Sequence, residues 1–168
     1  FNDPPIGVND TICAGQNASF SVIATGASSY QWKKGGTNLV NGGNVSGATA
    51  STLQLTTVSA TDAALYTCVI TGACAPTVTT TNATLVVNDL PVITTQPTPI
   101  TICQGLNTTY KVVATGTNLI YKWQRNNVDL VDGGGVLGAT TNTLSISGVT
   151  NANAGNYTCI VSGACSPS

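Results

Sequence analysis

The stretch Thr61-Asp-Ala-Ala-Leu-Tyr-Thr-Cys-Val-Ile70 decides how this chain is read. From Tyr66 onward, Tyr66, Cys68 and Ile70 fall at every second position, the period of a strand with one face in a core. The run returns as Asn153-Ala-Gly-Asn-Tyr-Thr-Cys159, and outward from it nearly everything repeats. Thr11-Ile-Cys-Ala-Gly-Gln-Asn matches Thr101-Ile-Cys-Gln-Gly-Leu-Asn, and Phe20-Ser-Val-Ile-Ala-Thr-Gly matches Tyr110-Lys-Val-Val-Ala-Thr-Gly. Tyr30-Gln-Trp matches Tyr121-Lys-Trp, Gly47-Ala-Thr matches Gly138-Ala-Thr, and Gly72-Ala-Cys matches Gly163-Ala-Cys. The offset is 90 residues from Cys13 to Cys103 and 91 from Tyr66 to Tyr157. A unit of that length is too long for a solenoid repeat and suits a small domain. Two domains are expected, 1–88 and 89–168, joined through Asn88-Asp-Leu-Pro91.

Within a unit the alternation gives each strand its faces. Phe20, Val22 and Ala24 point inward, with Ser19, Ser21 and Ile23 opposite; Tyr30 and Trp32 continue inward on the next strand. Leu53 and Leu55, matched by Leu144 and Ile146, form a further inward pair. Thr and Val favour half-buried strand surface, whereas Gly and Asn favour tight turns. Good helix formers are scarce, so the class is all-β.

Composition removes several functions. Charged residues are 7% of the chain and the net charge is −1, which leaves no electrostatic footprint for nucleic acid or an anionic membrane. Apolar runs such as Thr84–Val87 fall far short of the roughly 20 residues that span a bilayer, so no membrane insertion is expected. With no histidine, a Ser-His triad or a histidine metal site cannot be built.

An inward Trp on the third strand, a Leu-x-Leu strand, and a Tyr two residues before a Cys together resemble the immunoglobulin fold. The resemblance implies two tandem Greek-key β-sandwiches with Trp32, Tyr66, Cys68, Trp123, Tyr157 and Cys159 in the cores. The tyrosine hydroxyl would then bond backbone at the preceding corner. Ile-Cys-x-Gly, Tyr-x-Trp, Gly-Ala-Thr, Tyr-Thr-Cys and Gly-Ala-Cys also resemble the Ig-like repeats of large secreted Bacteroidetes surface proteins. That resemblance implies stalk, adhesin or filament roles without catalytic residues, and an extracellular or cell-surface location.

Two departures stand out. Antibody domains bridge strands B and F, but the strand-B position here is Ala24 or Ala114, so Cys68 and Cys159 read as buried thiols. Cys13, Cys74, Cys103 and Cys165 remain as disulfide candidates, and six cysteines allow 15 connectivities. Cys13 and Cys74 belong to opposite ends of one sandwich, beyond the roughly 7 Å that a bridge tolerates. With domains stacked end to end, an inter-domain Cys13–Cys165 bridge is the sharper expectation. The other departure is that Val78–Val87, the last strand of the first domain, has no counterpart after Gly163-Ala-Cys-Ser-Pro. The second domain therefore lacks its G strand within this sequence. Either the chain is cut from an array, as the match of Phe1-Asn-Asp to Val87-Asn-Asp suggests, or a neighbour donates the strand.

Other chemistry is thin. Asp129 and Asp132 with Asn126 and Asn127 offer hard oxygens for calcium, but a solvated turn accounts for them, and Asp3 and Asp89 read as linker turns. Lys33, Lys34, Lys122 and Arg125 take outward or loop positions, and Lys111 does the same, which argues against a Lys–Asn cross-link. Asn-x-Ser/Thr triplets at Asn17, Asn44, Asn82, Asn107 and Asn156 arise readily in so Asn- and Thr-rich a chain. Asp10-Thr11-Ile12 resembles a Bacteroidetes O-glycosylation motif. No catalytic, metal or cofactor residues are assigned, and no enzyme activity is expected. The reading is a structural module whose partners are neighbouring Ig-like domains or identical subunits in an array or fibre. The alternative is a ligand- or carbohydrate-binding module, for which Phe1, Tyr30 and Tyr121 are the aromatics left to serve.

Overall fold

The computed structural model describes residues 10–73 and 77–165. The chain divides into two compact units, Phe1–Asn88 and Asp89–Ser168. Both are built from short strands, and among the described residues the helical content is two 3-10 turns, Ala60–Asp62 and Asn151–Asn153.

The first unit contains β1 (Asp10–Cys13), β2 (Ala18–Ser21), β3 (Ala27–Lys34), β4 (Thr37–Asn38), β5 (Val45–Ser46), β6 (Thr52–Leu55), β7 (Ala64–Gly72), β8 (Val78–Thr79) and β9 (Ala83–Asn88). One sheet runs β1-β9-β7-β3-β4, with β8 also on β7; the other runs β2-β6-β5. The period-two pattern becomes burial directly: Phe20 and Val22 are buried while Ile23, between strands, is 88% exposed. Leu53, Leu55, Tyr66, Cys68 and Ile70 close the core around Trp32. A fully buried Leu such as Leu53 contributes about 1.5–3 kcal/mol relative to exposure. β9 seals this core: it runs antiparallel to β7, Ala83 opposite Tyr66 and Leu85 opposite Ala64. On its other side it lies parallel to β1, Leu85 beside Asp10 and Val87 beside Ile12.

The second unit repeats the plan with β10 (Val92–Thr95), β11 (Thr108–Lys111), β12 (Val113–Thr115), β13 (Ile120–Arg125), β14 (Val128–Asp129), β15 (Val136–Leu137), β16 (Thr143–Ile146) and β17 (Tyr157–Ser162). Its sheets are β14-β13-β17, β11-β16-β15 and β10-β12. Val112, Trp123, Leu144 and Ile146 form its buried core. Hairpin chemistry differs between the repeats. The β3–β4 turn uses Gly35 and Gly36 at positive φ, whereas the β13–β14 turn puts Asn126 and Asn127 there, at φ 49° and 64°. Asn tolerates that region better than other side chains, so both pairs suit a tight two-residue turn.

Gly47 and Gly138 answer a stricter demand. Each has positive φ, and a Cβ on either would press into a backbone carbonyl, that of Thr52 or Thr143. Only glycine allows both the conformation and the approach.

Candidate functional site

The polar groups of each unit are spent on bracing it. Trp32 donates its indole N–H to the Ala50 carbonyl at 2.9 Å, and Trp123 does the same to Thr141 at 2.9 Å. The Tyr66 hydroxyl donates to the Asp62 carbonyl at 2.7 Å, and the Tyr157 hydroxyl to the Asn153 carbonyl at 2.6 Å. Both tyrosines stack on the β2 or β11 aromatic: Phe20–Tyr66 centroids are 5.0 Å apart and Tyr110–Tyr157 4.8 Å. Asn41 and Asp132 each accept a backbone N–H at 2.8 Å, from Ala48 and Ala139.

Asp62 is the most constrained ionisable group of the first unit. Its Oδ2 accepts the Ser59 N–H at 2.9 Å, the Asn44 amide at 3.2 Å and the Ser59 hydroxyl at 3.3 Å. The Lys34 ammonium lies 3.6 Å from the other oxygen and donates to the Thr61 carbonyl at 2.6 Å. Burial pushes the carboxyl up, but the Ser59 N–H, the Asn44 amide, Lys34 and the Ser59 hydroxyl outweigh it and hold Asp62 below its usual range. The repeat keeps a cation but replaces the carboxylate by a neutral amide: Asn153 accepts the Thr150 N–H at 2.8 Å, and Arg125 donates to the Ala152 carbonyl at 2.6 Å. Lys34 thus belongs to the frame instead of an exposed cluster.

The core residues expected from the sequence separate by unit. Trp32, Tyr66, Cys68 and Trp123 are buried, while Tyr157 and Cys159 are half-buried. The physical reason is local: β9 runs beside Tyr66 and Thr80 bonds the backbone of Cys68, and among the described residues no strand lies along the same edge of β17. Burial pushes the Tyr66 hydroxyl up to about 12, with the Asp62 charge adding to it, and the Cys68 thiol up to about 11. Cys159 moves the same way by burial. Such thiols stay protonated and poorly nucleophilic at neutral pH.

Among the disulfide candidates, Cys13 and Cys165 are disulfide-bonded. Cys103 is a free, exposed thiol, as Cys68 and Cys159 are free at greater burial, and Cys74 lies outside the described residues. Cys13 belongs to a strand held by β9, whereas Cys103 sits in an unpaired segment.

Beside β11 and β17 of the second unit there is a groove of about 290 Å³, with Ile100, Ile102, Tyr110, Ile146, Val149 and Tyr157 on its walls. An adjoining one of about 240 Å³ shares Ile100, Tyr110 and Tyr157. Elsewhere the candidate ligand groups are occupied. Asp129 accepts Lys122 at 2.8 Å and Gln124 at 2.7 Å. Among the described residues no cluster of three His, Cys, Asp or Glu side chains forms a metal site. Tyr30 and Tyr121, the aromatics left over for binding, pack against the two cores, and Phe1 lies outside the described residues.

Residues 4–89 match the family described as Domain of unknown function (DUF8696), which takes in more than half of the chain. The chain belongs to the DUF8696 family. Residues 91–163 of this DUF8696 protein match the immunoglobulin domain family. Among solved structures it is similar to an I-band fragment from titin, at 22% identity and TM-score 0.75 over 96% of this chain and 62% of that one. It is similar also to extracellular domains 3–5 of Drosophila OTK, at 19% identity and TM-score 0.66 over 94% of this chain and 55% of that one. Eight N-terminal Ig domains of the Down Syndrome Cell Adhesion Molecule give 21% identity and TM-score 0.69 over 94% of this chain and 25% of theirs. The DUF8696 chain thus spans under two thirds of each, and identities this low speak for the fold alone. No curated protein matches it. The fold is a tandem of immunoglobulin-like sandwiches, all-β.

Two features of the DUF8696 chain escaped sequence reasoning. Asp62 carries a signal in hindsight: an acid or amide four residues before the corner tyrosine, facing Lys34 or Arg125 in matching positions. Gly47 and Gly138, each packed against a backbone carbonyl, show in the sequence only as a repeated Gly-Ala-Thr.

Proposed function

We propose that this chain is a non-catalytic structural module of an extracellular stalk, adhesin or filament, of the kind found in large secreted Bacteroidetes surface proteins. The observation that carries this reading is the duplicated brace. Two units of divergent sequence keep the same Trp-to-carbonyl, Tyr-to-carbonyl and Asn/Asp-to-amide bonds. What is kept between the repeats is thus frame, with no shared cluster of metal-ligating side chains among the described residues. Disulfide-bonded Cys13 and Cys165 suit an oxidising, extracellular setting. The partners are then neighbouring Ig-like domains or identical subunits in an array.

The alternative, a carbohydrate-binding module, loses support from Tyr30 and Tyr121, which are committed to cores. Negative-stain electron microscopy of native material under non-reducing conditions tests the choice. Rods or fibres with a regular repeat are expected. Compact particles that select particular sugars on a glycan array would overturn the structural reading.

A further inference from the structure

We infer that Cys103 is a cross-linking thiol, which forms a disulfide with the cysteine of a Gly-Ala-Cys turn in a further Ig-like repeat. This rests on the array reading above and specifies a covalent joint between its members. Two observations carry it together. Cys103 is an exposed free thiol, and its counterpart in the first unit, Cys13, is disulfide-bonded.

The two counterparts enter the same loop. Gly15 and Gly105, two residues after each cysteine, take positive φ of 89° and 82°. Their amides donate to the Val58 and Val149 carbonyls, each at 2.8 Å. The Val58 and Val149 amides in turn donate to the carbonyls of Gln16 and Leu106, at 2.8 and 2.9 Å. One residue further on, the Asn17 and Asn107 side chains accept the amides of Thr57 and Gly148, both at 2.9 Å. The same bonds therefore anchor the loop behind each cysteine at matching places on the two sandwiches. What differs is the bonding state of the sulfur.

The other bonded position ends the Gly-Ala-Cys turn, where Cys165 is disulfide-bonded. That turn is pinned as well. The Ala164 amide donates to the Thr117 carbonyl at 2.9 Å, and a Cβ on Gly163 would stand 2.8 Å from the same oxygen. The third cysteine of each repeat, Cys68 or Cys159, is free in both units. So this pair of counterparts agrees in state, while Cys13 and Cys103 disagree. The disagreement ends once Cys103 meets the Gly-Ala-Cys cysteine of another repeat.

The joint forms by thiol–disulfide exchange. The Cys103 thiolate attacks a small-molecule or oxidoreductase disulfide and expels one thiolate. The partner cysteine's thiolate then attacks the Cys103 sulfur and expels the other. The two cysteines lose two protons and two electrons, and the oxidant leaves as two thiols, a balance that an oxidising compartment sustains.

The native chain by itself should take up iodoacetamide at Cys103. In native assembled material, digestion without reduction should instead yield Cys103 joined to a Gly-Ala-Cys peptide, lighter by two hydrogens than the separate thiols. Electrophoresis with and without reductant separates the sources of the partner. A fall in size on reduction places it on a neighbouring polypeptide, and an unchanged size places it in the same one. Cys103→Ser should abolish this cross-link while Cys13 and Cys165 stay bonded and the amide NMR spectrum stays folded. Cys103 recovered from assembled material as an alkylated thiol, capped by a small thiol, or joined to a peptide without that pattern overturns the proposal. Regular rods in the microscope whose Cys103 is alkylated would refute the covalent joint while leaving the structural function intact.

Discussion

Replacing Asp62 by Asn should convert the brace of the first unit into the one the second unit already uses. The Asn side-chain oxygen can keep the Ser59 N–H, as Asn153 keeps that of Thr150, so the corner itself should survive. What is lost is the charge that Lys34 faces at 3.6 Å, with 29% of the Lys34 and 12% of the Asp62 side chain exposed. For a pair this open to solvent, about 1 kcal/mol is the appropriate scale. The pH dependence gives the sharper check. Asp62 is held below its ordinary value of 3.8 in the fold, so its stabilisation is present above that value. It is lost as pH falls through the folded value, where the native carboxylate takes up its proton. D62N should therefore be less stable at pH 7, with the deficit shrinking toward zero as the solution is acidified below the carboxylate range. Urea titration followed by amide NMR reads each unit through its own residues, so the second unit serves as an internal control. A deficit that stays constant between pH 7 and pH 2 would refute the argument, because the lost term would then not be the ionised carboxylate.

Further tests follow the braces and the thiols. Tyr66→Phe should cost the first unit about 1–3 kcal/mol in denaturant unfolding, because it orphans the Asp62 carbonyl in a buried setting. Tyr157→Phe should cost the second unit less, since water reaches its half-buried site. Gly47→Ala combines positive φ with a clash at the Thr52 carbonyl, and should lower the melting temperature far more than Gly26→Ala, which has positive φ and open space. Alkylation of the native chain without reductant should modify Cys103 first, then Cys159, and Cys68 only after unfolding. In the same mapping Cys13 and Cys165 should stay unlabelled until reduction, and the sequence reading joins them in one cross-linked peptide.

The parts of this structure legible in the sequence are those fixed by local period and by repetition. Ile23 was assigned to the outside by nothing more than its place between Val22 and Ala24, and it is 88% exposed. Trp32, Tyr66 and Cys68 were placed inside by the same alternation, reinforced by a second copy of the pattern. Repetition also misleads in one respect. It assigns Tyr157 and Cys159 the environment of Tyr66 and Cys68, although burial depends on what lies beside a strand as well as on the strand itself. Cysteine pairing was not legible for a related reason. Equivalent positions, Cys13 and Cys103, take different states, the first disulfide-bonded and the second a free, exposed thiol, and a repeat marks them as alike. The Asp62 brace escaped because its meaning lies in Lys34, 28 positions earlier, and in Asn44, 18 positions earlier, separations that no local period marks. Both kinds of failure converge on the same strand. β9 pairs with β1 and lies beside Tyr66, while Thr80 just before it bonds the backbone of Cys68, so this stretch holds the edge on which those two residues are buried.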